Sequence, residues 1–457
     1  MNKAVPHPAS FKDPAGFIFE SDGNLYRQVN ISYKKEYDAF MSSGLYKLFT
    51  EQGSLVPHTE ITENLTQTSE WYTTLKLERL PFISYPYEWS FDQLKDAALL
   101  TLSITKKSIE KGMILKDATP FNIQFKDGKP IFIDTLSWEL YDEKQPWVAY
   151  RQFCECFLYP LYLEHYIKAD FIPLLSHYIN GIPGDITAKL LPWKSRWNLG
   201  VRLHVLLQQN VKKQASTSAP RKIEFSKTKM LNLLQHLESI IQSLQSGYTT
   251  TSTWSDYYDH TILGKEYLEA KEKLIQKIVS PLNYNTVLDL GANDGYFSKL
   301  LAAKGKQVIA ADFDSQCINN LYNVIKKEKA RNIYPVVLDL SNPSASIGFN
   351  NSERSSFFER ANPDLVLALA LVHHLAISKN IPLTKQASFF ASIAPQLIIE
   401  FVPNNDDKAK EMLKGRESTF LDYTETIFEK SFSEYYSIEN KEQVPGTTRV
   451  LYYMKRK

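Results

Sequence analysis

From about residue 255 onward the sequence predicts an α/β domain on a doubly wound, largely parallel sheet. Two observations carry this. Short apolar runs, suited to strands buried on both faces, alternate with helical stretches. The first such run, "TVLDL", passes directly into a glycine turn, "GANDG", and then into a helix. The half before it reads as an α+β domain, and the whole divides as 1–210, a connecting segment 211–254, and 255–457.

In the first half, "GFIFESDGNLYRQVN" (16–30) reads as a hairpin and "KKEYDAFMSSGLYKLF" as a helix behind it. Ser90 and Gln93 suit a capping box, and Gly112 follows the end of that helix. Phe91, Leu94, Ala98, Leu102, Thr105 and Ile109 fall on one of its faces. Asp117 comes next, then Asn122, a hairpin turning at "KDG", and Asp134. Kinases use an Asp, an Asn five residues on and a later strand-borne Asp as base and magnesium ligands. "PWVAYRQFCECFLYPLYLEHYI" reads as a buried helix. In 190–213, Trp193 and Trp197 alternate with Lys194, Arg196 and Arg202. This mix suits core aromatics with a basic rim, or contact with a polyanion. Residues 210–229 are polar and aperiodic, a linker; 230–245 have helical spacing.

In the second half, "TVLDL", "QVIAAD", "IYPVVLDL", "PDLVLALAL" and "QLIIEFV" are the expected strands. Asp314 can cap the helix after the second. The turn has Gly291 and Gly295, with Asn293 where a dinucleotide-binding turn needs glycine. That weakens a pyrophosphate reading and suits a ligand without phosphates. Asp289 at the strand end repels phosphate and attracts an ammonium or sulfonium. Asp312 ends the next strand, where a carboxylate accepts ribose hydroxyls. Asp339 is placed to meet the edge of a base. His373 and His374 follow the fourth strand and are candidate general bases. Neighbours on a strand end point opposite ways, so one at most faces the ligand. Glu400 ends the fifth strand and is a further catalytic candidate. Proximity alone can also drive a group transfer, without a base.

"VLDLGANDGYF", "AADFD", "LDL" and "DLVLALALVHHL" resemble the successive motifs of class I S-adenosylmethionine-dependent methyltransferases. The resemblance implies a Rossmann-like domain with Asp289, Gly291, Asn293 and Gly295 near the amino-acid part of S-adenosyl-L-methionine. It puts Asp312 on the ribose, and Asp339 with Leu340 near the adenine. Residues 110–139 are similar to the catalytic core of aminoglycoside and choline kinases. That resemblance implies a protein-kinase-like fold, with Asp117 as base, Asn122 and Asp134 as magnesium ligands, and ATP as cofactor. Departures are Lys116 before Asp117, the missing glycine after Asp134, and no Gly-rich loop; Arg27 stands where a lysine is usual. Most of the chain is similar to bacterial nodulation-associated methyltransferases, which implies a small-molecule or oligosaccharide acceptor.

Net charge is +2 over 457 residues, which disfavours a nucleic-acid partner. Three cysteines make no disulfide framework, and Cys154 and Cys156 read as buried thiols. No run suits a membrane span and the first residues lack a signal peptide's apolar core, so the cytoplasm is the expected location. The composition leaves the oligomeric state open. The favoured activity is methyl transfer to a hydroxyl of a small or glycan-like substrate, with the first domain binding or modifying it. Two alternatives stand beside it: a phosphotransferase whose second domain senses the cofactor, and a protein or nucleic-acid methyltransferase.

Overall fold

The computed structural model describes residues 4–208, 225–247 and 265–457. The expected domain boundaries near 210 and 255, and the linker residues 211–224 and 248–254, lie outside the described residues. Backbone contacts divide the chain into one unit of Met1–Thr249 with Ala345–Ser355, and a second of Thr250–Ser344 with Ser356–Lys457.

Among the described residues, the first unit holds a five-stranded antiparallel sheet of order β1-β2-β3-β5-β4. Its strands are β1 Val5–Pro6, β2 Gly16–Ser21, β3 Asn24–Asn30, β4 His58–Ile61 and β5 Trp71–Leu77. The β2–β3 turn is only Asp22-Gly23, both at positive φ (47° and 74°), the tight turn that this sequence favours. The helix expected at 34–49 is two helices, α1 Lys34–Ser42 and α2 Leu45–Glu51. Gly44, at φ 79°, breaks it.

The helix α3 Phe91–Glu110 starts as its sequence demands, with the Ser90 N–H donating to Gln93 Oε1 at 2.9 Å. Its six expected core residues are all buried. After β6 Met113–Leu115 come β7 Ile123–Lys126 and β8 Lys129–Phe132, joined through Asp127 and Gly128 at positive φ. The strand β9 Trp138–Leu140 pairs with β6. Trp138 is fully buried against Phe40 (ring centroids 4.3 Å apart), and its indole N–H donates to Ser108 Oγ of α3 at 2.8 Å.

The helical run Tyr150–Phe153, Cys154–Leu158 and Tyr159–Ile167 is buried as expected, widening to a π-turn in its middle. Cys154 and Cys156 are buried free thiols. The helix Lys227–Ser243 is capped by Ser226 and packs against α3 through Met230, Leu234, Leu237 and Ile241, with a Lys106–Glu238 ion pair of 2.6 Å.

The second unit, among the described residues, is a seven-stranded sheet of order β12-β11-β10-β13-β14-β16-β15. Its strands are β10 Thr286–Leu290, β11 Gln307–Asp312, β12 Ile333–Val337, β13 Leu365–Ala368, β14 Gln396–Phe401, β15 Tyr436–Gln443 and β16 Val450–Arg456. β10 to β14 are parallel, and β16 and β15 return antiparallel at one edge. This mixed α/β sheet is the Rossmann-like architecture expected. Its central strands are apolar because helices cover both faces; Val287, Leu288, Val308, Leu367 and Ile398 are buried. Strand order reverses between β10 and β13, so a crevice opens there beyond the carboxyl ends.

Trp138→Ala removes a filled centre of the first unit. We expect a loss of about 3–5 kcal/mol in that unit's stability, read as a lowered denaturant midpoint at unchanged slope.

Candidate functional site

The glycine turn is built by backbone geometry. Gly291, Asn293 and Gly295 all have positive φ (77°, 51° and 76°). Asparagine is among the few side chains that tolerate this region, which explains how it replaces glycine at 293. Gly295 has a second constraint: a Cβ there would stand 2.5 Å from Leu321 Cδ1. A Cβ on Gly291 would meet only Leu371 Cδ1, at 3.7 Å, because that residue faces the crevice. The turn is tied to β11, since the N–H groups of Gly291 and Ala292 both donate to Ala311 O, at 2.9 and 3.1 Å.

Asp312 closes this arrangement. One carboxylate oxygen accepts from the Asn293 N–H at 2.9 Å, the other from the Asp314 N–H at 3.0 Å. It is nearly buried, and burial raises its pKa against these donors. Asp314 caps the next helix, as expected. Asp289 is buried at the end of β10 and accepts from Ser298 Oγ at 2.6 Å. Burial pushes its carboxyl up to about 7. Asp339 lies two residues beyond β12 and accepts from the Ser341 N–H at 2.8 Å. Burial acts to raise it, but the Ser341 donors and Lys379, 3.4 Å away, hold it below its ordinary value.

These residues surround one cavity. Asp289, Gly291, Asn293, Asp312, Asp339 and Leu340 line it, together with Phe313, Leu338, Leu369, Leu371 and Leu375. The walls are mostly apolar, with Asp289, Asp312 and Asp339 among the polar residues in them. Phe313, 58% exposed, directly follows Asp312. Gly295 is absent from the lining and acts through the turn.

The histidines occupy a different local structure from the one expected. β13 stops at Ala368, and His373 and His374 lie in a helical turn leading into the π-turn His374–Ser378. His374 lines the cavity and His373 does not. Burial lowers His374 to about 4, with Lys408 and Arg449 adding to the effect. His373 is 1% exposed, its two ring nitrogens have no hydrogen-bond partner among the described residues, and burial lowers its pKa too.

Glu400 is fully buried and outside the lining. It accepts from Lys271 Nζ at 2.6 Å, Tyr267 OH at 2.8 Å and the Ala370 N–H at 2.8 Å. Arg449 adds donors to Tyr267 OH at 3.0 Å and to Asp406 at 2.9 and 3.2 Å. Burial would raise Glu400, but Lys271 and Arg449 hold it below its ordinary value. Its role in this geometry is positional: it fixes Tyr267, Lys271 and Ala370, which do line the cavity. Sequence reasoning missed Tyr267 and Lys271. Their one signal is a four-residue spacing on the amphipathic helix Lys265–Val279, and the buried lysine looks like any surface lysine.

The structure also gathers Asp117, Asn122 and Asp134 into one cluster. Asp117 accepts from Gln152 Nε2 at 2.7 Å and from the Thr119 N–H at 3.3 Å. Burial raises it, and Asp134 nearby adds to the rise. Asn122 Nδ2 donates to Ser137 Oγ at 3.1 Å. Asp134 has no vacant oxygen: Arg27 contacts Oδ1, Ser137 Oγ donates to Oδ2, and the Leu136 N–H donates to Oδ1 at 3.1 Å. Burial would raise Asp134, but Arg27 and Ser137 hold it down. Arg27 is 5% exposed and also faces Asp13 at 3.7 Å. A magnesium ion does not fit these residues, because a guanidinium already stands on its expected ligand. No group of three or more metal-ligating side chains occurs among the described residues. The two-residue β2–β3 turn is too short to cover phosphates.

A family model, the tellurite resistance protein TehB, matches residues 249–351. Among solved structures, the PH0226 protein of Pyrococcus horikoshii OT3 is 18% identical, with 45% of this chain and 98% of that chain covered and a TM-score of 0.32. The bifunctional kinase-methyltransferase WbdD is 16% identical, with 42% and 38% covered and a TM-score of 0.27. The nodulation protein NoeA of Rhizobium meliloti (strain 1021) is 32% identical over 468 residues, which take in 99% of this chain and 97% of that protein. An identity of this depth across both whole lengths means that the chain belongs to the NoeA family.

Proposed function

We propose that the chain is an S-adenosyl-L-methionine-dependent methyltransferase acting on a hydroxyl of a small or glycan-like substrate. The observation that carries this is the left-handed turn at Gly291–Gly295, bonded to a buried Asp312 beside an apolar cavity. The residues fit the cofactor: Gly291 leaves room for close approach, and the carboxylates match its cationic and hydroxylated parts. When bound, the cofactor supplies an electrophilic methyl group on sulfur.

The protein's own contribution is binding and alignment. Asp289 receives the ammonium, Asp312 the ribose hydroxyls, and Asp339 with Leu340 the base. Phe313, Leu338, Leu371 and Leu375 exclude water. His374, neutral at pH 7, is a weak proton acceptor, so the rate rests chiefly on proximity. An oligosaccharide is the glycan-like acceptor that this reading favours. In this reading the first unit holds substrate rather than transferring phosphate, because Arg27 and Ser137 already engage both oxygens of Asp134. A cytoplasmic location remains part of the proposal; no described helix is long and apolar enough to cross a membrane.

Asp312→Ala is expected to weaken S-adenosylhomocysteine binding roughly 30-fold or more, from the loss of about 2 kcal/mol or more in charge-assisted hydrogen bonds. Calorimetry measures this, and wild-type protein giving no heat with the cofactor would exclude the proposal. Asp289 adds a pH dependence. Its raised pKa means that the free fold favours the protonated acid, so this group's support for the fold falls as pH rises toward about 7. The cofactor's ammonium favours the carboxylate. Affinity should therefore improve by roughly tenfold from about pH 6 to 8, and Asp289→Asn should flatten that profile. For the first unit, calorimetry should give no magnesium-ATP heat, and Asp117→Asn or Asp134→Asn should leave phosphate release at background.

A further inference from the structure

The aromatic and basic stretch after residue 188 does not form the buried core expected of it. Trp193 and Trp197 are 68% and 75% exposed, at either end of the short 3-10 turn Trp193–Trp197. Leu190 and Leu199 flank them and are 44% and 60% exposed. Lys194, Arg196 and Arg202 are exposed alongside. No Asp or Glu occurs between Asp185 and Glu224.

The patch is held on a firm base. Ser195 is buried and its hydroxyl donates to Pro192 O at 2.7 Å. Asn198 Oδ1 accepts from the Val201 N–H at 3.2 Å. Gly200 is pressed so closely on Tyr162 that a Cβ would stand 2.4 Å from its hydroxyl oxygen. The buried frame thus fixes two large indoles pointing into solvent.

We propose that this patch docks the chain on the surface of an anionic phospholipid bilayer. Charge complementarity is the first argument: Lys194, Arg196 and Arg202 are exposed beside the indoles, and residues 186–223 contain no Asp or Glu to offset them. Indole chemistry is the second. An indole has an apolar body and one N–H, which suits the boundary between headgroups and acyl chains, and the flanking leucines add apolar points that need no hydrogen bond. Ring geometry is the third. The indoles lie edge to face, at 88° with centroids 6.1 Å apart, so they offer no shared flat platform. A sugar chain or a run of bases would stack on such a platform; a bilayer interface needs only depth and charge.

The test is co-sedimentation of the full-length chain with vesicles of phosphatidylcholine containing phosphatidylglycerol, against vesicles of phosphatidylcholine alone. Sedimentation should occur with the anionic vesicles and fall with added salt. Trp193→Ser with Trp197→Ser should reduce the bound fraction roughly tenfold, and Lys194→Glu with Arg196→Glu by a similar factor. Both variants should keep the wild-type melting temperature, since the changed side chains are exposed. Wild-type protein that stays in the supernatant overturns the proposal, as do variants that bind like wild type. Two further results also overturn it: a wild-type dimer dissolved by the tryptophan variant without any vesicle binding, and retention of soluble polyanion in place of vesicles.

Discussion

A carboxylate sealed inside an apolar sheet must be neutralised where it stands, and the cavity is organised around that requirement at Glu400. Lys271 and Tyr267 answer it from the helix Lys265–Val279, and the Ala370 N–H answers it from the loop after β13. Ala370 adopts φ 49°, an uncommon conformation for a residue with a side chain, while its amide is held in this way. Two segments far apart in sequence thereby become walls of one cavity. Arg449 and Asp406 extend the same set of charges to β16 and to the loop after β14. The cavity-lining carboxylates Asp289 and Asp312 can then be left with acceptor capacity, because the positive charge nearby is already committed to Glu400.

The first unit meets the same demand with a different partner. Asp134 is neutralised by Arg27, a residue of β3, and its second oxygen by Ser137. An internal guanidinium there supplies the positive charge that a metal ion would otherwise bring. The kinase-like arrangement of Asp117, Asn122 and Asp134 is thus kept as geometry. At Asp134 the protein's own Arg27 and Ser137 stand on the carboxylate oxygens.

How much of this was legible depended on periodicity. Strands buried on both faces announce themselves as apolar runs, so β10, β11 and β14 were readable, and so was the turn with its glycines. Asp289 and Asp312 followed, because strand ends point at the crevice in any sheet of this type. The run "PDLVLALAL" overstated β13: after Ala368 its leucines line the cavity instead of continuing the strand. The histidines were therefore assigned to a strand end when they sit in a helical turn. Trp193 and Trp197 misled for the opposite reason, since residue type suggests burial and nothing local reports that the frame beneath turns them outward. Lys271 and Arg449 were invisible because a buried cation is recognisable only from the carboxylate that it meets in three dimensions.

The strand order has a consequence for how copies of this chain behave at high concentration. A sheet ending in open strands offers unpaired amides and carbonyls to its neighbours. One margin here is β12, whose middle residue Pro335 has no N–H to lend to an incoming strand. The opposite margin is β15, where the register slips between Ile438 and Asn440, and Glu439, Lys441 and Glu442 crowd the edge with charge. Both flanks are blunted by different chemistry, which discourages end-to-end zippering into fibres.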